Sequence, residues 1–580
     1  MLKNKIFAKV LAALVWVPTF LYVVNYIGMQ WEYQKVTSVG KLAGISLRSS
    51  SDILATAGTV AVAGVVATVV SIFIYLLANK EKTATQKVLL KVDLILFAVL
   101  AVLYGTNRYM LYRETLPMYY RDYDSNGRLH EPDKYLSKLT ARKVILISID
   151  TLAPKHMRCY GSEQEASPNI DQLAKEGVVF TSCFSQSPKT SPSHMTMFTS
   201  LYPSVHKIRN WNNIKGGYAL DHKIITLPEI MKNAGFATAA FTGGGNVDAS
   251  IGFGSGFDIY DNHDQLWEKA IPWVEQNFDK QFFLFLHTFK VHSPYLPPPP
   301  YDTMFDPDYA GPILDSKEEL DQLYKQTGNG GSFPGYHELF WSRIDKSNPR
   351  EVQHVVALYD GGIRHMDERI FGKLIAKLKE KNVYDETLIV FTSDHGEEFG
   401  EHGDFLHKEL YDEHIHVPLI IKFPKGESAG VVVDQQVRTI DLTPTLLSYL
   451  GLPVPETSQG IDILPSIQNE KLELPAYADR FEPIDPANSD VVDQKKAIRM
   501  PEWKYIFWPT LGTHELFNLT ADPGEQKNVL EQFPEMREGL QVEIDAWMKT
   551  NEEKGGSIQA RKNNLDAETI AKLRSLGYVK

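Results

Sequence analysis

The chain has 580 residues, of which 43% are hydrophobic and 23% are charged. This length is enough for a membrane anchor plus one large domain or two medium ones. The formal net charge of −12 argues against nucleic acid as the main partner, because nucleic-acid-binding proteins present basic surfaces. The two cysteines, Cys159 and Cys183, stand outside any zinc-ligand spacing, and whether they pair stays open.

Three apolar stretches in the first hundred residues predict an N-terminal membrane anchor. Residues 6–27 and 53–78 approach or exceed the length of about 20 residues that spans a bilayer. Residues 88–105 form a shorter stretch, for which a buried soluble helix is the alternative. A signal peptide is the alternative for the first stretch, but no small-residue cleavage site follows it. We therefore predict three transmembrane helices within residues 1–105.

The lysines near these stretches predict the orientation of the anchor. They flank the first stretch and fill the loop between the second and third, at Lys3, Lys5, Lys9, Lys80, Lys82, Lys87 and Lys91. Such clusters favour the cytoplasmic side. We expect a protein of the plasma (inner) membrane whose large domain lies on the periplasmic or extracellular side. Residues 106–142 are polar, contain Pro117 and Pro132, and are predicted to be a linker.

Strand and helix patterns alternate after the linker. Residues 143–150 and 387–394 are apolar runs that end in an acid, as buried parallel strands do when they present a functional residue at the carboxyl end. Further strands are predicted at residues 237–242 and 282–287, and helices at residues 170–177, 227–234 and 354–381. This alternation predicts an α/β fold with a doubly wound, mostly parallel sheet and helices on both faces.

Three segments of this region carry candidate chemistry. They contain Asp150, the run of residues 188–194, and the Asp394-His395 pair within residues 393–403. A strand-end aspartate and an Asp-His pair supply oxygen and nitrogen ligands for one divalent metal. A hydroxyl beside that metal, such as that of Thr190, loses its proton more easily and becomes an attacking group. Each segment alone has an ordinary alternative as a helix cap or a turn, but their joint occurrence favours catalysis.

The chain resembles the sulfatase family of the alkaline phosphatase superfamily from about residue 144 to the C-terminus. The matching segments are residues 150–152, 159–161, 167–171, 177–180, 190–194, 292–295, 393–403, 441–447 with Gly460, 515–519, 522–525 with Asn528, and 573–578. The resemblance implies a hydrolase acting on phosphoric or sulfuric ester bonds. It also implies a small C-terminal antiparallel subdomain, for which we predict strands at residues 474–480, 495–508 and 515–519 and a helix at 534–551.

The chain departs from the family pattern at four positions. Thr190 stands where the family's Cys-x-Pro-Ser-Arg motif has the residue that becomes formylglycine, and threonine cannot become that aldehyde. His194 replaces the arginine of the same motif, Asn246 ends the segment that should read Gly-Lys-Trp-His, and His407 stands in place of a lysine. A threonine nucleophile with Asp-His ligands resembles the nucleotide pyrophosphatases and the phosphoethanolamine and phosphoglycerol transferases of the superfamily. That resemblance implies phosphate esters, with Zn²⁺ or Mn²⁺ rather than Ca²⁺.

These matches predict a role for each candidate site residue. The predicted metal ligands are Asp150, Thr190, Asp394 and His395, and Thr190 is also the predicted nucleophile. His292 is predicted to bind the transferring oxygens or to protonate the leaving group. His407 is predicted to stabilise the oxyanion or to activate the second nucleophile. We expect His194 and Asn246 to contact the substrate.

The sequence therefore predicts a membrane-anchored, metal-dependent hydrolase that cleaves a phosphate or sulfate ester of a small molecule, glycan or lipid headgroup. Its predicted parts are the anchor (1–105), the linker (106–142), the catalytic domain (143–470) and a C-terminal α+β subdomain (471–580). Three alternatives stay open. They are a true arylsulfatase-like sulfatase, a transferase acting on envelope glycans or lipids, and a non-catalytic envelope binding module.

Overall fold

The computed structural model describes residues 122–124, 127–209, 217–263, 266–313, 316–326, 336–485, 488–559 and 561–563. The predicted anchor and the first part of the predicted linker lie outside these residues. Among the described residues, no helix has both the length and the apolar character that crossing a bilayer requires. The described end of the linker packs on the main domain, because Tyr123 is buried and its hydroxyl donates to the Pro453 carbonyl at 2.6 Å.

Strands and helices follow one another along the described chain. The strands are β1 Lys143–Ile149, β2 Val178–Phe184, β3 Gly217–Ala219, β4 Ala237–Phe241, β5 Ile259–Asp261, β6 Phe282–Thr288, β7 Thr387–Ser393, β8 Glu398–Phe399, β9 Phe405–Leu406, β10 His416–Lys422, β11 Val432–Val433, β12 Val437–Arg438, β13 Ala476–Asp485, β14 Asn488–Arg499, β15 Trp503–Trp508, β16 Thr513–Asn518 and β17 Arg561–Asn563. The helices are α1 Pro132–Leu136, α2 Pro168–Glu176, α3 Thr190–Thr199, α4 Pro203–His206, α5 Leu227–Asn233, α6 Leu266–Asn277, α7 Lys317–Gln326, α8 Tyr336–Trp341, α9 Pro349–Met366, α10 Gly372–Glu380, α11 Asp412–Ile415, α12 Leu442–Leu450, α13 Leu464–Ile467 and α14 Pro534–Gly555.

The central sheet has the strand order β11-β2-β10-β7-β1-β6-β4-β5, and β12 also pairs with β2. Strand β1 lies between β6 and β7 and is parallel to both. Strand β10 is antiparallel to its neighbours β2 and β7. The predicted mostly parallel α/β sheet is therefore confirmed. Cys183 of β2 and Cys159, in the segment that follows β1, are both free thiols.

Both faces of this sheet are covered, as the central strand β1 shows. Val144 and Leu146 belong to one hydrophobic core, and Ile145 and Ile147 belong to another. All residues of β1 are buried, which explains why its sequence is a continuous apolar run rather than an alternating one. Helices α3, α5 and α12 contribute to the first core and α2, α9 and α10 to the second. The prediction of helices on both faces is confirmed.

Strands β13 to β16 form a second, antiparallel sheet in chain order. Helix α14 packs on this sheet through Trp547, whose ring stacks on Tyr477 with centroids 4.8 Å apart. The predicted small C-terminal antiparallel sheet is confirmed. The single strand predicted over residues 495–508 is wrong, because the chain reverses at Met500, whose N–H donates to the Trp503 carbonyl at 2.7 Å. Pro501 occupies that reversal, where its fixed φ favours a turn.

The helix predicted over residues 354–381 is interrupted. A π-helical turn, Asp367–Phe371, separates α9 from α10. Its first residue, Asp367, is buried and accepts the backbone N–H groups of Asn169 at 3.0 Å and Ile170 at 2.9 Å. These groups lie in the first turn of α2, where no helical partner exists for them. The π turn therefore places a carboxylate that caps a neighbouring helix.

Candidate active site

Two aspartates leave the carboxyl edge of the central sheet side by side. Ile149 of β1 is in register with Ser393 of β7. The next residues, Asp150 and Asp394, therefore emerge at the same level from neighbouring parallel strands. Both side chains are fully buried. Strand pairing thus brings together two carboxylates that are far apart in the sequence.

Asp150, Asp394 and His395 form a group that fits a metal ion, with one ligand atom of each within 4.8 Å of the others. His395 Nε2 lies 3.5 Å from Asp394 Oδ2 and 3.9 Å from Asp150 Oδ1. These atoms and Asp150 Oδ2 are buried without a hydrogen-bond partner among the described residues. Uncompensated buried carboxylates are costly, and a divalent cation among these atoms would satisfy them.

Burial and mutual repulsion set the protonation of this group. Burial raises the pKa of Asp150 well above its ordinary value, and the neighbouring charge of Asp394 raises it further. Burial also holds the pKa of the His395 imidazole well below its ordinary value. A neutral imidazole is the form that ligates a metal. A cation would also offset the repulsion between the two carboxylates.

Thr190 begins helix α3 and is buried beside Asp150. Its hydroxyl faces the Asp150 carboxylate and opposes the rise in that pKa, although the two groups do not reach ordinary hydrogen-bond geometry. Lys189 is extended, so the chain enters the helix abruptly at Thr190. The N–H groups of the first helical turn lack helical partners and form the positive end of the helix dipole. This environment suits a bound anion.

Two serines of the segment 190–194 hold the start of α3 in place. Ser193 Oγ donates to the Asp394 carbonyl at 2.6 Å, and Ser191 Oγ donates to the Asn246 carbonyl at 2.6 Å. They tie the helix to the end of β7 and to the loop after β4. The side-chain amide of Asn246 is buried and has no partner in the described part of the chain. Its predicted contact with substrate stays a prediction, and the geometry agrees with it.

His194 is held from two sides by the protein. Its Nδ1 lies 2.9 Å from the Thr190 carbonyl, and its Nε2 lies 2.9 Å from Ser148 Oγ. Burial and the neighbouring His287 lower the pKa of His194 to about 3. A second group of potential ligands joins His194, His287 and Asp394, but both His194 nitrogens already have protein partners. These bonds favour a positioning role, and the substrate contact of His194 stays a prediction.

The structure places both predicted catalytic histidines near the candidate metal ligand His395. The ring centroid of His407 lies 4.3 Å from that of His395 and 5.3 Å from that of His292. The charge of His292 lowers the pKa of Asp150, so the His292 side chain lies close enough to this carboxylate to influence it. The catalytic roles of His292 and His407 stay predictions, and their positions are compatible with them.

Sequence reasoning missed the residues that orient His407. Its Nδ1 lies 2.9 Å from Oε1 of the buried Glu397, whose Oε2 accepts the Tyr295 hydroxyl at 2.8 Å. Burial raises the pKa of Glu397 well above its ordinary value. The contact with Glu397 occupies Nδ1 and fixes the orientation of the ring, so Nε2 is the nitrogen that can serve substrate or water. Glu397 lies within the 393–403 motif, but nothing in the pattern signals its pairing with Tyr295.

The turn after β1 holds Thr151 in the left-handed region, with φ 60°. This conformation is uncommon for a β-branched residue and costs about 1–3 kcal/mol. The Tyr359 hydroxyl fixes the turn by donating to the Thr151 carbonyl at 2.7 Å and accepting the Ala153 N–H at 2.9 Å. The Thr151 N–H donates to Asp394 Oδ1 at 3.3 Å. The turn therefore also orients a candidate metal ligand.

A third group of potential ligands, His402, Glu413 and Glu525, lies where the 393–403 loop meets the C-terminal sheet. Here the charges already have protein partners. Lys504 Nζ lies 2.9 Å from Glu525 Oε1, and His402 Nε2 lies 3.2 Å from Glu413 Oε2. This cluster is an ion-pair network, and His402 belongs to it rather than to the group around Asp150.

Two family models match the chain over these elements. The sulfatase model matches residues 142–452, which is more than half of the chain, and the model of the N-sulphoglucosamine sulphohydrolase C-terminal region matches residues 400–553. The chain belongs to the sulfatase family. It is therefore a sulfatase-family hydrolase of the alkaline phosphatase superfamily, as the sequence motifs predict.

Individual relatives of this sulfatase-family chain are distant. Arylsulfatase K of Rattus norvegicus is 25% identical over 470 residues, covering 71% of this chain and 79% of that protein. The multifunctional alkaline phosphatase superfamily protein PehA of Trinickia caryophylli is 26% identical over 482 residues, covering 67% and 91%. The crystal structure of phosphonate monoester hydrolase of Agrobacterium radiobacter matches with a TM-score of 0.58 at 22% identity, covering 70% and 96%. The structural likeness establishes the fold.

The two matched regions of this sulfatase-family chain overlap at residues 400–452. The overlap contains His407 and the strand β10, which lies in the central sheet. It also contains Asp412, which bonds to residues of the C-terminal sheet. The segment that carries His407 therefore contributes a strand to the central sheet and also contacts the C-terminal sheet.

Proposed function

We propose that this chain cleaves phosphate esters with Thr190 as its nucleophile and one divalent metal as its cofactor. The observation that carries the proposal is the placement of Thr190 at the start of α3. There its hydroxyl faces Asp150, beside carboxylate and imidazole atoms that no described residue bonds. Because threonine cannot become formylglycine, the attacking group in this proposal is the hydroxyl itself.

Asp150, Asp394 and His395 would hold the metal, with Thr190 Oγ beside it. Two carboxylates and an imidazole suit Zn²⁺ or Mn²⁺ better than Ca²⁺, which prefers oxygen ligands alone. A bound metal supplies charge neutralisation and lowers the pKa of a neighbouring hydroxyl. The unpartnered buried atoms of these three residues are the observation that supports this fit.

The reaction then has two displacement steps. Thr190 first gives up its hydroxyl proton to solvent. Its Oγ bonds to phosphorus as the bond from phosphorus to the alcohol oxygen breaks, and protonated His292 donates its proton to that leaving oxygen. The N–H groups at the start of α3 stabilise the charge on the transferred oxygens. Water next attacks the phospho-threonine and gives its proton to His407, which Glu397 orients. Thr190 Oγ leaves as inorganic phosphate is released and takes back the proton held by His407, and His292 recovers its proton from solvent, which restores the starting state.

A sulfuric ester hydrolase using the same threonine is the second candidate. The name of the relative arylsulfatase K favours it. A transferase would differ only in the second step, where an alcohol of an envelope glycan or lipid replaces water. A non-catalytic envelope binding module is disfavoured, because a silent site has no need for two facing buried carboxylates.

The proposed setting of this activity is the outer side of the plasma (inner) membrane. Residues 1–105 would form the anchor, and the catalytic and C-terminal regions, 143–470 and 471–580, would lie on the periplasmic or extracellular side. The apolar stretches and lysine clusters of the sequence support this arrangement. Substrates would be phosphorylated or sulfated small molecules, glycans or lipid headgroups.

The test uses the full-length protein, purified in detergent, stripped of metal with a chelator and reloaded with Zn²⁺ or Mn²⁺. Turnover of nitrophenyl phosphate, bis-nitrophenyl phosphate and nitrophenyl sulfate is compared with that of Thr190→Ala. We expect metal-dependent phosphoester turnover that falls by roughly 10³–10⁶-fold without the Thr190 hydroxyl. Thr199→Ala, at the other end of the same helix, is the matched control and should retain activity.

Each other outcome has a clear meaning. Turnover of the sulfate ester alone, with the same dependence on Thr190, would establish the second candidate. Turnover that survives Thr190→Ala would remove Thr190 as the nucleophile. Activity that is unaffected by the chelator would remove the metal.

A further inference from the structure

Thr151 has a buried hydroxyl that the protein leaves unsatisfied. Its Oγ1 is inaccessible and has no hydrogen-bond partner among the described residues. A buried hydroxyl without a partner is costly, and such groups in native proteins call for an explanation. The residue immediately follows Asp150, so this hydroxyl lies on the turn that carries a candidate metal ligand.

The hydroxyls nearest to this turn are already committed. Tyr359 uses its hydroxyl to donate to the Thr151 carbonyl and to accept the Ala153 N–H. Ser393 Oγ accepts the Leu152 N–H at 3.0 Å and lies 2.6 Å from the Ile149 carbonyl. Both groups fix the backbone around Thr151 and leave its side chain without a partner. The protein thus determines where the turn lies but does not satisfy Oγ1.

The backbone conformation of Thr151 is a second indication that this residue serves a ligand. Its φ of 60° lies in a region that β-branched residues rarely adopt. Glycine or asparagine would occupy this position with less strain. Strained conformations of this kind cluster at ligand-binding sites, where surrounding contacts impose them. The strained residue directly follows Asp150, and its N–H donates to the carboxylate of Asp394.

We infer that Thr151 contacts the substrate, its hydroxyl donating a hydrogen bond to a non-bridging oxygen of the bound phosphate or sulfate group. The inference rests on the proposed function, because it needs an ester at the Thr190 site. A bound anion would satisfy Oγ1, just as a cation would satisfy the unpartnered atoms of Asp150 and Asp394. Thr151 would therefore set affinity for the anion, and Thr190 would perform the displacement.

The test measures binding of inorganic phosphate and inorganic sulfate to the full-length, metal-loaded protein, by calorimetry and by competitive inhibition. Thr151→Val keeps the shape and removes the hydroxyl, and Thr151→Ser keeps the hydroxyl. We expect Thr151→Val to weaken anion binding by roughly ten- to a hundredfold and to raise KM more than it lowers kcat. Thr151→Ser should bind within roughly threefold of wild type, and Thr445→Val is a control that removes a buried hydroxyl elsewhere.

Thr151→Gly keeps the test informative if the valine variant does not fold. It relieves the unfavourable φ, so we expect its melting temperature to equal or exceed that of wild type while its anion binding is as weak as that of Thr151→Val. Wild-type anion affinity in Thr151→Val and Thr151→Gly would overturn the inference. Weakened metal binding with unchanged anion binding would overturn it as well, because the hydroxyl would then be a metal ligand.

These outcomes are separable from failure of the proposed function. If wild type binds neither anion and turns over no ester, the proposed function fails first. If wild type binds an anion and Thr190→Ala abolishes turnover, but the Thr151 variants bind as wild type does, only the inference about Thr151 fails. Calorimetry measures anion binding without turnover, so the binding result and the turnover result do not depend on each other.

Discussion

Two buried polar clusters of this chain differ in how completely the protein pairs their charges. At the strand ends, Asp150 and Asp394 present carboxylate oxygens that no described residue bonds. At the contact with the C-terminal sheet, Asp412 lies 2.9 Å from Arg499 and 2.8 Å from Lys504. Burial alone therefore does not mark the functional site. At the candidate site, four buried ligand atoms of three neighbouring residues, Asp150, Asp394 and His395, lack hydrogen-bond partners among the described residues, and a bound ligand would satisfy them together.

The paired cluster is a network of opposite charges. Lys504 is fully buried and also lies 2.9 Å from Glu525. Burial raises the pKa of Glu525 to about 7. Burial acts on Asp412 as well, but Lys504 and Arg499 outweigh it and hold the pKa of Asp412 well below its ordinary value. The network therefore keeps Asp412 ionised. At the strand ends, by contrast, burial and the neighbouring Asp394 raise the pKa of Asp150.

The largest expected effect is on the paired cluster. Asp412→Asn removes the carboxylate that Arg499 and the fully buried Lys504 share. Because Asp412 is partly exposed and Lys504 keeps Glu525, we expect a loss of roughly 3 kcal/mol of unfolding free energy, the lower end of the range for a broken buried ion pair. Urea unfolding of the full-length protein, followed by tryptophan fluorescence, measures the loss. Glu380→Gln, which breaks an exposed pair with Lys377, is the matched control and should leave stability unchanged. Equal stability of Asp412→Asn and wild type would mean that the network does not hold the C-terminal sheet.

An aspartate-to-asparagine change at the cluster of Asp150 and Asp394 should raise the unfolding free energy of the metal-free protein, whereas Asp412→Asn lowers it. In metal-free protein, Asp150→Asn removes one of two facing carboxylates and should raise the unfolding free energy by about 1–2 kcal/mol. Adding Zn²⁺ at about a hundred times its dissociation constant should stabilise wild type by about 2.7 kcal/mol, and Asp150→Asn by less. Urea titrations of chelator-treated samples measure the effect of Asp150→Asn on stability, and titrations of reloaded samples measure the stabilisation by Zn²⁺. A destabilised, metal-free Asp150→Asn would show that this aspartate has a structural partner.

The smallest expected effect concerns pH. Because Asp412 has a lowered pKa in the folded protein, the unfolded chain takes up its proton first as the pH falls. The stability that Asp412 contributes is thus present above its ordinary pKa of about 3.9 and is lost as the pH falls toward the folded value. The stability gap between wild type and Asp412→Asn should narrow between pH 5 and about pH 3. A constant gap across that range would contradict the pairing described here.

The fold was predicted best where the sequence carries a strong local pattern. Strands β1 and β7 are continuous apolar runs followed by acids, so their burial and the acids at their carboxyl ends follow from the residues alone. The antiparallel direction of β10 cannot be predicted in this way. A buried strand has the same apolar residue pattern whether it pairs with its neighbours in parallel or antiparallel orientation. The reversal at Met500 depends on one proline, and the residues around it predict a continuous strand.

The sequence predicts the candidate metal ligands of the site. It does not predict the residues that support them. Asp150, Asp394 and His395 are strand-end residues that a pattern reveals. The pairing of Glu397 with Tyr295 and the conformation of Thr151 depend on contacts between distant segments and on backbone angles. Supporting residues of this kind have no fixed spacing from what they support. Only the folded structure places them.

The edge strands of the central sheet influence how readily copies of this chain aggregate at high concentration. Strands β11 and β12 have two residues each and β5 has three. Together they occupy the edges of the central sheet in the described part of the chain. Very short edge strands offer few consecutive backbone groups to which another chain could add a strand. The long, apolar inner strands are therefore shielded from edge-to-edge aggregation.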